Sequence, residues 1–336
     1  MKEVINISAV FIGLVIGAGF ASGREIFEYF NIPSQSDFTG IIIATISFGA
    51  ICYIIMQLAQ KHQCSDFDSM LKILSGRFAP LIRFFMFAYM FCGFFIMMSA
   101  CGVLAEETFG VFRQFGIWLL AFVCFCVFSF DIKGLVTFNV VLVPIMVAGM
   151  IYICLSSLLQ PLPAFALLDK IKTNPLISAL CYVSYNTITA GAVLVPLSIT
   201  VNKKQLVSAS AISAGVLGLL IFIVWLTMNI FFDHLLLSEM PLLELAADNG
   251  IFTTYVYTIV LFMALCTTAV SQGFGILSNF KFSKVSKRIF AAATLCLLAV
   301  PFAGFGFSTL VSRLYSAFGY AGLVWTGILI KQYIKP

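Results

Sequence analysis

Long apolar blocks separated by short polar stretches run the full length of the chain. A helix needs about 20 consecutive apolar residues to cross a hydrocarbon core of about 30 Å. The blocks predict ten spans, at about 5–30, 38–60, 80–107, 115–131, 134–159, 174–201, 206–232, 251–278, 286–303 and 306–333. No linker or low-complexity segment divides them. The expected fold is therefore an all-α polytopic membrane protein, with residues 1–336 forming a single domain.

Two blocks are irregular. The first contains Gly13-Leu14-Val15-Ile16-Gly17-Ala18-Gly19-Phe20-Ala21-Ser22-Gly23-Arg24-Glu25, with four glycines, a serine and two opposite charges in thirteen residues. The sixth reads Tyr182-Val183-Ser184-Tyr185-Asn186-Thr187-Ile188-Thr189 and continues through Gly191 to Pro196. Unwound backbone frees N–H and C=O groups that lipid cannot satisfy, so it is tolerated where an ion, a solute or a cavity takes them up. Half-helix N-termini suit anionic groups, and released carbonyls suit cations. Each irregular block heads a set of five spans. This predicts two repeats, about 5–159 and 174–333, and an odd number of helices per repeat makes them inverted. Gly13 and Gly17 also match a small-xxx-small packing motif, which is the competing explanation for those two glycines. The glycine density, the adjacent Arg24-Glu25 and the matching break in the sixth span favour a ligand site.

In the eighth span, Ala264, Thr267, Thr268 and Ser271 share one helix face by their 3–4 spacing. Threonine hydroxyls with main-chain carbonyls are hard donors for a small cation. Such hydroxyls also commonly bond within their own helix or to a neighbouring one.

Composition narrows the class. Hydrophobic residues make up 61% and charged residues 10%, with a mean hydropathy of +1.07. That is too little charge to cover a soluble surface. The net charge of +5 does not point to nucleic acid, because the basic residues follow topology. With the N-terminus inside, Lys61, Lys72, Arg77, Arg83, Lys133, Lys203, Lys204, Lys284, Lys287 and Arg288 fall on the cytoplasmic face. The outer loops keep Arg113, Lys170 and Lys172. The positive-inside rule then predicts a multi-pass protein of the bacterial plasma membrane with both termini cytoplasmic. The first apolar run carries Arg24 and Glu25 and lacks a small-residue cleavage site, unlike a signal peptide. Most of the ten cysteines lie inside spans without zinc or haem spacing, so neither disulfides nor a metal or haem cofactor is expected. No His/Asp/Glu constellation suggests an enzyme.

At these residues the chain resembles the amino acid–polyamine–organocation superfamily, whose members have the LeuT fold. Gly13-x-x-Ile16-Gly17-x-Gly19-Phe20 looks like its broken first helix. Ala264-x-x-Thr267-Thr268 resembles the sodium signature of its sodium-coupled members. The longer string Gly17-Ala18-Gly19-Phe20-Ala21-Ser22-Gly23-Arg24-Glu25 is similar to the YkvI-like bacterial membrane proteins. The span count covers the whole chain, whereas the motifs cover about three spans.

The resemblance implies a 5+5 inverted repeat with helices 1 and 6 broken. It implies a sodium site built from the carbonyls of Gly13, Ile16 and Ala264 and the hydroxyls of Thr267 and Thr268. It places a solute between Gly17, Ala18, Gly19 and Ser22 on one side and Ser184, Tyr185, Asn186, Thr187 and Thr189 on the other. An ammonium would meet unwound carbonyls and Asn186 or Ser184, although Tyr185 and Asn186 could equally serve only to cap the helix break. The fifth span has no lysine between its ends, which favours sodium over protons as the coupling ion. No acid is expected at mid-depth, which favours a small neutral or zwitterionic solute. Arg24, Glu25 and Arg313 are the outer-gate candidates. The arginines either pair with glutamates such as Glu25, Glu28, Glu106 and Glu107 or together attract an anion. The segment 238–250 predicts a short outer amphipathic helix, either a lid or simple packing. The function expected is sodium-coupled symport of an amino acid or related solute by alternating access, with the bilayer and the solute as partners. A proton-coupled carrier of the same fold and a non-transporting membrane sensor are the alternatives.

Overall fold

A computed structural model of the chain describes residues 2–30, 38–129, 131–160, 174–235, 240–278, 284–304 and 316–335, with Ser238, Phe280 and Phe282. Every regular element among them is helical. The first apolar block becomes three helices, α1 (Lys2–Val15), α2 (Ala18–Ala21) and α3 (Arg24–Phe30). The order continues α4 (Thr39–Lys61), α5 (Phe67–Ser75), α6 (Ala79–Phe109), α7 (Arg113–Phe128) and α8 (Asp131–Leu158). It then runs α9 (Pro175–Ser198), α10 (Lys203–Ile230), α11 (Phe232–Leu235), α12 (Pro241–Asp248), α13 (Ile251–Ser278), α14 (Val285–Phe302) and α15 (Ser316–Ile334).

Six helices among the described residues are long and apolar enough to cross a membrane. α9 adds a seventh if its halves, Pro175–Ile188 and Ala190–Ser198, are taken together across a bend of 60°. The bend falls at Thr189, within the polar stretch read from the sequence. Part of the expected last span, including Arg313, lies outside the described residues.

Burial separates inner from outer helices. In α13, 78% of the apolar window is buried, against 22% in α14, so α13 is central and α14 peripheral. α1 packs against α8, α9, α10 and α13, and α4 against α9 and α10. The side chains left outside are large and apolar, among them Ile46, Phe84, Phe122, Phe290 and Val324. Such a surface is at home in hydrocarbon and would be a liability in water.

Two short helices close the ends of the bundle. α5 starts where the Asp66 carboxylate accepts from the Ser69 N–H, an N-cap at 2.8 Å. Its apolar face, Phe67, Met70, Leu71 and Leu74, is buried. α12 forms the short amphipathic helix expected between 238 and 250. Pro241 opens it, and Gly250 follows it at a φ of +106°. The Leu242 N–H donates to the Ser22 carbonyl at 2.9 Å, which ties α12 to the end of α2.

Candidate functional site

The break in the first span is a change of hydrogen-bond partner. The Ile16 N–H still donates to Ile12 at 2.8 Å, but the Gly17 N–H turns back to Val15, also at 2.8 Å. In a continuous helix it would donate to Gly13. Gly17 is extended, with φ −91° and ψ −172°. The next ladder starts with the Ala21 N–H donating to Gly17 at 2.8 Å. The carbonyls of Gly13 and Ile16 therefore stand outside both ladders. A second break follows at Gly23, whose φ of +83° is a left-handed conformation that suits glycine.

α13 faces this break. A carbon placed on Gly17 in the position of a side chain would stand 2.8 Å from the Thr268 hydroxyl. That hydroxyl is buried and has no hydrogen-bond partner among the described residues. Thr267, fully buried, donates to the Ala264 carbonyl at 2.9 Å and keeps its own lone pairs. The orphaned Thr268 hydroxyl thus stands against the break at Gly17, one residue from the Thr267–Ala264 pair on the same helix. A hard cation fits this donor set, because it would satisfy oxygens that are costly to bury unpaired.

Sequence reasoning missed two polar neighbours, Asn139 and Gln272, and named Ser271 on the threonine face. Asn139 of α8 is fully buried and lays its side-chain oxygen on Gly13. Ser271 and Gln272 of α13 are 2% and 3% exposed. Their Oγ and Oε1 atoms have no hydrogen-bond partner among the described residues. Asn139 was detectable as an isolated amide in an apolar span, and Gln272 as the residue following the threonine face.

The expected solute wall on α9 is buried, but part of its polarity is spent locally. Asn186 donates to the Tyr182 carbonyl at 2.9 Å and Thr187 to the Ser184 carbonyl at 2.7 Å. The Ser184 hydroxyl accepts from Thr326 of α15 at 3.4 Å. These bonds stabilise a helix about to bend. Thr189 lies at the bend, and its side chain is outside the described residues. On the opposite wall Ser22 is fully buried and donates to Gly19 at 3.1 Å. Ala18 and Gly19 are buried in α2. Tyr257 of α13 donates to the Ala21 carbonyl at 2.5 Å and fixes the far end of α2.

The two charges that follow have separate fates. Arg24 is partly exposed and pairs with Glu28 at 3.0 Å. It also donates to the Ser238 carbonyl at 3.1 Å. Glu25 points the other way. It is 4% exposed, and its carboxyl occupies the space a side chain on Gly19 would fill. Glu25, expected at the outer gate, is thus a buried acid beside the candidate solute wall. Glu106 pairs with Arg113 instead. Ser238, with Glu107, Met240, Glu244 and Tyr255, lines a cavity of about 680 Å³ between α6, α12 and α13.

No family model matches the chain. Two Bacillus subtilis (strain 168) proteins align along nearly all of it. YyaD is 27% identical over 314 residues, covering 93% of this chain and 91% of YyaD. The membrane protein YkvI is 26% identical over 331 residues, covering 97% and 94% respectively. Both are described as uncharacterised. Among solved structures, a substrate-bound Na+-coupled sialic acid symporter superposes with a TM-score of 0.68 at 13% identity, over 98% of this chain and 78% of that one. MhsT in complex with L-phenylalanine gives 0.68 at 15% identity, over 97% and 87%. Mhp1, a nucleobase-cation-symport-1 family transporter, gives 0.66 at 15% identity, over 99% and 78%. The chain shares the LeuT fold of these transporters. At such identities the likeness is one of architecture.

Proposed function

We propose that this chain is a sodium-coupled secondary transporter of a small amino acid or related solute, working by alternating access. In this reading ten spans form a 5+5 inverted repeat with both termini cytoplasmic. Sodium binds the carbonyls of Gly13, Ile16 and Ala264 and the hydroxyls of Thr267 and Thr268. The solute lies between Gly17–Ser22 and the bend of α9, and the Arg24–Glu28 pair with α12 closes the outer side.

The observation that carries the proposal is the Thr268 hydroxyl, buried without a partner against the Gly17 break. An unsatisfied hydroxyl costs about 1–3 kcal/mol, and a bound cation would remove that cost. Sodium also supplies the coupling. An ion shared by α1 and α13 is bound well only when the two helices are in register, and solute binding at the same break favours that register. The likeness to three cation-coupled or solute-bound carriers supports the reading at the level of fold.

The test is uptake of radiolabelled amino acids into proteoliposomes under an imposed sodium gradient. Uptake should follow the gradient, and Thr267→Ala should abolish its sodium stimulation. Binding without flux would favour the sensor, and flux unchanged when potassium replaces sodium would remove the ion assignment.

A further inference from the structure

Among the described residues Glu25 has no cationic partner. Arg24, its neighbour in sequence, is engaged with Glu28 and Ser238, and no basic side chain among the described residues pairs with Glu25. Its Oε2 is buried and without a hydrogen-bond partner there, while the Tyr185 hydroxyl faces the carboxyl. Around it stands a cluster of tyrosines. The Tyr29 ring lies 5.4 Å from Tyr182 and 5.9 Å from Tyr185, and Tyr182 lies 5.6 Å from Tyr185. The hydroxyls of Tyr29 and Tyr182 are also buried and lack partners among the described residues. Among the described residues, the other ionisable groups near this cluster are Glu28 on the same helix, Tyr89 of α6, Cys181 of α9 and Tyr320 of α15. None of these is basic.

When ionised in such a place, the carboxyl needs a positive partner, because an unpaired buried charge is costly. The surroundings select which one. The all-oxygen donor set suited to sodium lies elsewhere, at Thr267 and Thr268. Here one carboxyl, orphaned phenol oxygens and aromatic faces converge. An ammonium group brings several N–H donors for those oxygens and is attracted to ring faces. The carboxyl also lies on Gly19 and against Tyr185, the two walls assigned to the solute.

We propose that Glu25 is the specificity-determining residue that receives the ammonium group of the transported solute. This rests on the placement of the solute site given above. It replaces main-chain carbonyls, Asn186 and Ser184 with a side-chain carboxylate as the principal counter-group. It also makes the amine the required part of the ligand: amines lacking a carboxylate bind, and amino-blocked amino acids do not.

The test uses the full chain purified in detergent, with melting temperature as the readout. The probes are ethanolamine, putrescine, L-alanine and L-lysine, each beside its N-acetylated counterpart, in sodium and in potassium. Free amines should stabilise the wild type and the acetylated forms should not. In Glu25→Gln the half-saturating amine concentration should rise by about tenfold or more, the loss expected for one charge-assisted hydrogen bond. The sodium response should persist, because the ion site is separate. A second measurement needs no variant. Dicyclohexylcarbodiimide modification of wild-type Glu25, mapped by mass spectrometry, should slow when ethanolamine is present. The proposal is overturned if amines and their acetylated forms act alike, or if Glu25→Gln keeps the amine response. In the wild type, an amine response with no sodium response would instead remove the sodium assignment and leave Glu25 standing.

Discussion

Replacing Thr268 by valine should move stability in opposite directions in two salts. Valine keeps the volume of threonine and removes its hydroxyl. In potassium, the wild type buries that hydroxyl against the Gly17 break without a partner, at a cost of about 1–3 kcal/mol. The variant T268V should therefore be more stable there. Scaling the usual unfolding entropy per residue to this length gives roughly 1–2 °C per kcal/mol, so the gain is a few degrees. In sodium at about 100 times its dissociation constant, the wild type should gain about 2.7 kcal/mol by mass action, or about 3–5 °C. T268V, without one of five proposed oxygen ligands, should lose most of that gain. Differential scanning fluorimetry in detergent, with sodium and potassium chloride at matched ionic strength, reads both effects. A variant that melts below the wild type in potassium would show that the hydroxyl has a stabilising protein partner. A variant with the full sodium shift would show that Thr268 is not a ligand. Either result refutes the reasoning.

Gly19→Ala would place a methyl group 2.1 Å from the present position of Glu25 Oε1. The carboxyl must move, and we expect loss of amine stabilisation with a fall in stability of about 1–3 kcal/mol, read by the same melting assay. Arg24→Gln should cost less than about 1 kcal/mol of stability, since the Arg24 and Glu28 side chains are 29% and 26% exposed. It should nevertheless raise amide exchange across α12, because it removes the bond to Ser238. All ten cysteines are free, so iodoacetamide added to the denatured chain without reductant should label ten thiols by intact mass.

Much of the architecture was legible because membrane spans depend on length and hydropathy, which local sequence records directly. The break at Gly17 was visible as a glycine run, and the bend in α9 as polar residues before Gly191 and Pro196. The helix α5 was not, because it is amphipathic and lies between spans, where its Asp66 cap resembles ordinary loop polarity. Glu25 was misplaced for a geometric reason. Adjacent residues on a helix point about 100° apart, whereas residues four apart share a face. Arg24 thus finds Glu28, and the sequence neighbour read as a gate residue turns inward. Asn139 and Gln272 each meet their partners only in three dimensions, through contacts with Gly13 and Gly93 on other helices.

The bond from the Leu242 amide to the Ser22 carbonyl joins a surface helix directly to the backbone of the broken span. α12 is therefore geared to the interior, and it cannot swing outward while the end of α2 keeps its present course. One amide proton is then a clock hand for the cycle proposed above. Its exchange rate should slow whenever ligands hold the break shut and quicken each time the outer face opens, without any label attached to the protein.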